Sequence, residues 1–168
     1  MLNLCRTLLL VAAFIPCASP AQGRAELGPR LLTLSHSPRE ILEAVARLLH
    51  VDLRPEVPLP SIRLESRTPL PHFQNAVESS WQARPPVFSN AYAASTNEIF
   101  LADVAARRST QGASLDEMLA HEMAHYIQAR YWRADLNADG AEFQARQVQL
   151  WFREMYLPTA SFARSGRD

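Results

Sequence analysis

Cysteine is nearly absent: the chain has two, Cys5 and Cys17, both within its first 17 residues. The rest of the chain has neither disulfide staples nor thiolate metal ligands, so its stability must come from packing or from a metal held by other side chains. Net charge is missing too. Seventeen Lys and Arg balance seventeen Asp and Glu, and no run of like charge occurs. Such a balance leaves no electrostatic footprint for nucleic acid or for an anionic membrane surface.

Long hydrophobic runs are confined to the start. After Arg6 an apolar stretch of about 10–12 residues, too short to span a bilayer comfortably, leads to the small-residue site Ser19-Pro20-Ala21. That is the layout of a secretory signal peptide, residues 1–21. Cleavage after Ala21 leaves 147 residues (168 − 21) with 16 basic and 17 acidic side chains, a formal charge of −1. The mature protein is expected to be secreted or periplasmic, without an integral membrane segment. A lipid anchor on Cys17 is not expected, because Phe14-Ile15-Pro16 stands where small residues are wanted. The mature length suits one domain with a modest core.

Residues 22–36 read as a loose segment, with a single domain over 37–168. Ser37-Pro38-Arg39-Glu40 combines an N-cap serine, a proline at the first helical position and a glutamate at the third. Ile41, Leu42, Val45, Leu48 and Leu49 come next at helical spacing and predict an amphipathic helix over 38–50. Prolines cluster between Pro55 and Pro86, so that stretch should be strand and loop, with a helix only around 73–81. Residues 87–102 read as a hairpin turning at Ser95-Thr96-Asn97. Ser114-Leu115-Asp116-Glu117 is a second capping box, opening a long helix over 115–132 whose apolar residues spread round most of the wheel, as in a central buried helix. After Asp135-Leu136-Asn137-Ala138-Asp139-Gly140 a last helix runs over 141–156, with Phe143, Val148, Leu150, Trp151 and Met155 as packing residues.

The buried helix carries three groups that do not belong in an apolar core: His121, Glu122 and His125. Four residues apart, the two histidines stack on one helix face, where each can offer one nitrogen to a zinc ion. Glu122 lies about 100° round the wheel, near enough to take a proton from a water on the metal without being a ligand. Buried unpaired, the three would cost several kcal/mol, roughly the penalty of burying polar groups without partners. A third ligand is needed, and Glu142, 17 positions after His125, is the candidate. Ala145, one turn later, would let its helix approach closely. Asp139-Gly140-Ala141-Glu142 is also a capping-box pattern, which would turn Glu142 back onto the Asp139 backbone.

These residues resemble the thermolysin-like zinc metallopeptidases, the gluzincins, which share H-E-x-x-H and a later E-x-x-A/S. Here the two are His121-Glu122-Met123-Ala124-His125 and Glu142-Phe143-Gln144-Ala145. Upstream, Asn90-Ala91-Tyr92 is similar to the family's Asn-Ala-aromatic segment, which borders the cleft and binds substrate backbone. The resemblance covers residues 87–156 and implies a zincin-like α+β fold. A long metal-binding helix would pack against a second, ligand-bearing helix and a small mixed sheet ending in an edge strand. It implies one catalytic Zn²⁺ on His121, His125 and Glu142, Glu122 as general base, and a peptide or protein substrate. Two family features are missing. Arg146 stands where larger members carry a carboxylate that orients a ligand histidine, and no histidine comes after His125 to stabilise an oxyanion. Tyr126, Tyr131, Tyr156 or an arginine remain for that role. A non-catalytic zinc-binding or interaction domain is the alternative reading. Calcium is not expected: Asp135-x-Asn137-x-Asp139-Gly140 matches half of a calcium loop, but Arg146 occupies the position of its bidentate glutamate.

Overall fold

Helix α1, Pro38–Leu48, begins as its capping box requires: the Glu40 N–H donates to Ser37 Oγ and the Ser37 N–H to the Glu40 carboxylate, at 3.2 and 2.7 Å. The computed structural model describes residues 31–104 and 114–157, so the signal peptide expected over 1–21 lies outside the described residues. Two residues of the predicted helix are lost at its end. His50 turns left-handed at φ 53°, and the Val51 N–H closes back onto the Ala46 carbonyl, a Schellman-type stop. Of the segment 22–36, residues 31–36 are described and anchored. The Leu32 N–H donates to the Asp103 carbonyl at 2.8 Å, and Ser35 N–H and His36 Nδ1 meet the buried Asp116 carboxylate, each at 2.8 Å.

Strand β1, Ser61–Leu64, leads to helix α2, Leu70–Trp81. This helix starts three residues before the expected 73, because Pro69 and Pro71 fall at its N-cap and first turn, where a missing N–H costs nothing. Strands β2, Ala91–Ala93, and β3, Glu98–Leu101, form the expected hairpin, with Asn97 left-handed at φ 55° in its turn. The sheet order is β1-β3-β2, with β1 parallel and β2 antiparallel to β3. Phe73, Val77, Phe88 and Phe100 fill the space between α2 and the sheet.

Helix α3, Leu115–Arg130, has twelve of its sixteen residues buried, which makes it the central element. It packs on α1, on β2 and β3, and most extensively on α4, Asp139–Tyr156. Among the described residues no helix is long and apolar enough to cross a membrane. The buried face of α4 is Ala141, Ala145, Val148 and Phe152, and Ala145 is fully buried against α3 as anticipated. Three of its expected packing residues face solvent instead: Phe143 and Met155 are about two-thirds exposed and Leu150 is 44% exposed. The buried stripe combines two small residues, Ala141 and Ala145, which let two helices close, with Val148 and Phe152 further along.

The second capping box forms by half. Ser114 Oγ accepts the Glu117 N–H at 3.2 Å, but the Glu117 carboxylate does not turn back. It is fully buried and takes a fork from Arg153 of α4, with Nε at 2.6 Å and Nη2 at 2.8 Å. A bidentate charge-assisted pair outweighs one backbone cap bond. Arg153→Ala should therefore cost on the order of 3 kcal/mol in urea unfolding, because it strands a buried carboxylate. Combining it with Glu117→Leu should recover most of that loss. A single-variant loss below about 1 kcal/mol, the worth of an exposed pair, would show that the fork does not hold α4.

Candidate metal centre

The burial of α3 presents His121 and His125 on the side facing α4, with ring centroids 4.9 Å apart. Their Nε2 atoms are 3.2 Å from each other. Glu142 reaches across from the first turns of α4 and places Oε2 3.5 Å from His121 Nε2 and 3.3 Å from His125 Nε2. Three donors on two helices thus form a nearly equilateral triangle, and His121, His125 and Glu142 make a group able to hold a metal ion.

The triangle can be tested against a tetrahedral ion. Bonds of about 2.0–2.1 Å to nitrogen and carboxylate oxygen imply donor separations of about 3.3–3.4 Å, and the three observed edges bracket that value. The set of two imidazoles and one carboxylate suits zinc and its neighbours in the first transition row rather than calcium or magnesium.

The capping alternative for Glu142 does not form. Helix α4 starts at Asp139, with Ala138 as an N-cap that makes no side-chain bond. Asp139 thus lies inside the helix, and Glu142 points across to α3. Its other oxygen, Oε1, accepts a hydrogen bond from Arg146 Nε at 2.8 Å. Burial pushes the Glu142 carboxyl upward, but the Arg146 hydrogen bond and the two histidines outweigh it, so the group sits below the usual carboxylate range and is ionised. Asp135 serves as a turn former, its Oδ1 accepting the Asn137 N–H at 2.9 Å.

The histidines are supported unequally. His125 Nδ1 meets Gln128 Oε1 at 2.8 Å, whereas the buried His121 Nδ1 has no hydrogen-bond partner among the described residues. Gln149 stands close enough to influence the His121 ring, but its amide nitrogen is directed at Glu117 Oε1, 3.5 Å away. Burial, then the neighbouring His125, pull the His121 pKa down, which keeps the ring neutral as a ligand must be. Arg146 bonds Glu142 and not a histidine, and the group that meets His125 is Gln128. Sequence reading missed Gln128, although it lies three residues after His125 on the same helix face.

Glu122 is 5% exposed and lies outside the ligand triangle. Burial, with Glu142's negative charge second, pushes its carboxyl up to about 8, and a hydrogen bond from the Tyr92 backbone N–H partly opposes this. That bond joins the outer edge of β2 to the acid. Ala91, Tyr92, Asn90, His121, Glu122, His125 and Glu142 all line one cleft of about 280 Å³. Its walls are completed by Ser80 and Trp81 at the end of α2 and by Leu136 and Asn137 before α4. The Asn90 side chain is committed, its Nδ2 to Met118 Sδ at 3.0 Å and its Oδ1 to the Ala102 N–H at 2.8 Å. The Tyr92 hydroxyl is held by Arg130 and Asn97. None of Tyr126, Tyr131 and Tyr156 lines the cleft; the Tyr126 hydroxyl donates to the Pro58 carbonyl instead. Comparison with protein-family models, curated proteins and solved structures yields no significant match, so the chemistry of this centre is inferred from its own geometry.

Proposed function

We propose that this protein is a zinc-dependent metallopeptidase with a reduced, gluzincin-type zincin fold, acting in a secreted or periplasmic setting. The observation that carries the proposal is the donor triangle of His121, His125 and Glu142 with a fourth group, Glu122, buried beside it and not part of it. A purely structural site has no use for a buried acid in that position. A zinc ion held there supplies a Lewis acid that polarises a carbonyl and draws the pKa of water towards about 7.

The chain's own residues do the rest. His121 and Glu142 are held in the forms that ligate, one neutral and the other ionised. Glu122, buried beside the triangle, would be ionised by the charge of a bound cation, which opposes the effect of burial, and could then take a proton at its carboxylate and return it to a leaving amine. An extended peptide is expected to lie along the outer edge of β2, adding a strand to the sheet, with Asn90 offering backbone groups because its amide is occupied.

The test is metal analysis combined with cleavage of a peptide library. The purified protein should hold about one zinc per chain, lose cleavage on chelation and regain it when zinc is returned. Zinc at 100 times its Kd should also stabilise the fold by about 2.7 kcal/mol, visible as a rise in Tm. Absence of zinc binding overturns the proposal. Zinc binding without cleavage of any peptide would instead make this a non-catalytic zinc-binding domain.

A further inference from the structure

We infer that Gln128 is the positioning residue of this centre, selecting the tautomer of His125 and tying it to the helix that supplies Glu142; the inference rests on the metal reading above. Gln128 is 1% exposed and makes three hydrogen bonds. Its Nε2 lies 2.9 Å from the Ala141 carbonyl oxygen and 2.9 Å from Gln144 Oε1, and its Oε1 lies 2.8 Å from His125 Nδ1.

The chain of consequences starts at the backbone. A carbonyl oxygen can only accept, so the end of the amide facing Ala141 must be the nitrogen. The opposite end is then the oxygen, which can only accept from His125, so the proton of that imidazole sits on Nδ1. His125 Nε2 is left with a bare lone pair, and Nε2 is the atom in the donor triangle, 3.3 Å from Glu142 Oε2. A proton on Nε2 would block the site. Gln128 therefore does for His125 what a carboxylate does in other metal centres, without adding a negative charge.

The same amide joins the two ligand-bearing helices. Ala141 directly precedes Glu142, so the bond to its carbonyl fixes the turn of α4 from which Glu142 reaches over. Among the described residues His121 Nδ1 makes no hydrogen bond of comparable geometry, and the Gln149 amide beside that ring is shared with Glu117. Of the two imidazoles, His125 is the one whose form this amide dictates.

Two variants separate positioning from mere helix docking. Gln128→Met removes every bond. Gln128→Glu keeps an acceptor for His125 Nδ1 and loses the donor to Ala141. Zinc affinity, measured by competition with a chromophoric chelator, should fall about 10- to 100-fold in Gln128→Met and stay within a few-fold of the wild type in Gln128→Glu. Both variants should lose thermal stability in the metal-free state. In parallel, ¹⁵N-imidazole NMR of the metal-free wild type at mildly alkaline pH should show His125 protonated on Nδ1. Equal affinity losses in the two variants, an unchanged affinity in Gln128→Met, or an Nε2–H tautomer in the wild type would each overturn the inference. The tautomer measurement requires no variant to fold. A wild type that binds no zinc removes the metal reading itself; a wild type that binds zinc with any of those three results removes only the role of Gln128.

Discussion

Glu122→Gln is expected to bind zinc as tightly as the wild type and to lose peptide hydrolysis by about 10²- to 10⁴-fold, the usual worth of a general base. The substitution keeps shape and removes the ability to take a proton. Glu122 touches none of the donor atoms of the triangle, so affinity should be unaffected. The variant should also be no less stable than the wild type when metal-free. A carboxyl pushed up to about 8 by burial and by Glu142 is costly to ionise in the folded state, and a neutral amide avoids that cost. A folded-state pKa above the unfolded one favours the fold at low pH, and that contribution is lost as pH rises from about 4.5 through about 8. The metal-free wild type should thus weaken over that window relative to Glu122→Gln. Urea unfolding of the two proteins across it, together with a peptide assay, checks both halves. An active Glu122→Gln would exclude this residue as the base.

Glu142→Ala is expected to lower zinc affinity by more than about 100-fold, the upper end of what loss of an outer-shell partner costs, because it removes a ligand and the only negative charge in the triangle. The folded state should survive. Glu142 is 46% exposed in its side chain, its partner Arg146 is 69% exposed, and an exposed pair of this kind contributes about 0–1 kcal/mol. Isothermal titration with zinc would read the affinity, and far-UV circular dichroism the fold. A variant that kept wild-type affinity would mean that the two imidazoles recruit some other ligand. Glu154, the other glutamate in the last helix, is near its end and could not easily be that group.

Glu142 also marks where local reasoning stops. His121, Glu122 and His125 were legible because a helix is periodic: four residues bring two side chains to one face whatever surrounds it. The serine-led starts of α1 and α3 were legible for the same reason, since an N-cap bonds only within its own turn. Glu142 satisfied two local patterns equally well, cap and ligand. The choice depended on α4 beginning at Asp139 and on its approach to α3 through Ala145, both properties of packing. Glu117 shows the reverse outcome, a capping glutamate drawn out of its box by an arginine 36 positions away.

The sequence by itself determined that one buried helix would present two imidazoles and an acid, because burial is written in composition and facing is written in period. It determined the hairpin carrying Asn90, Ala91 and Tyr92 through its turn residues. Only the tertiary structure decided that Glu142 joins the two histidines, that the outer edge of β2 meets Glu122, and that the Gln128 amide bonds the Ala141 carbonyl of α4. Each of these joins elements far apart in the chain, and the hydrogen bonds and helix approach that make them have no local repeat from which they could be read.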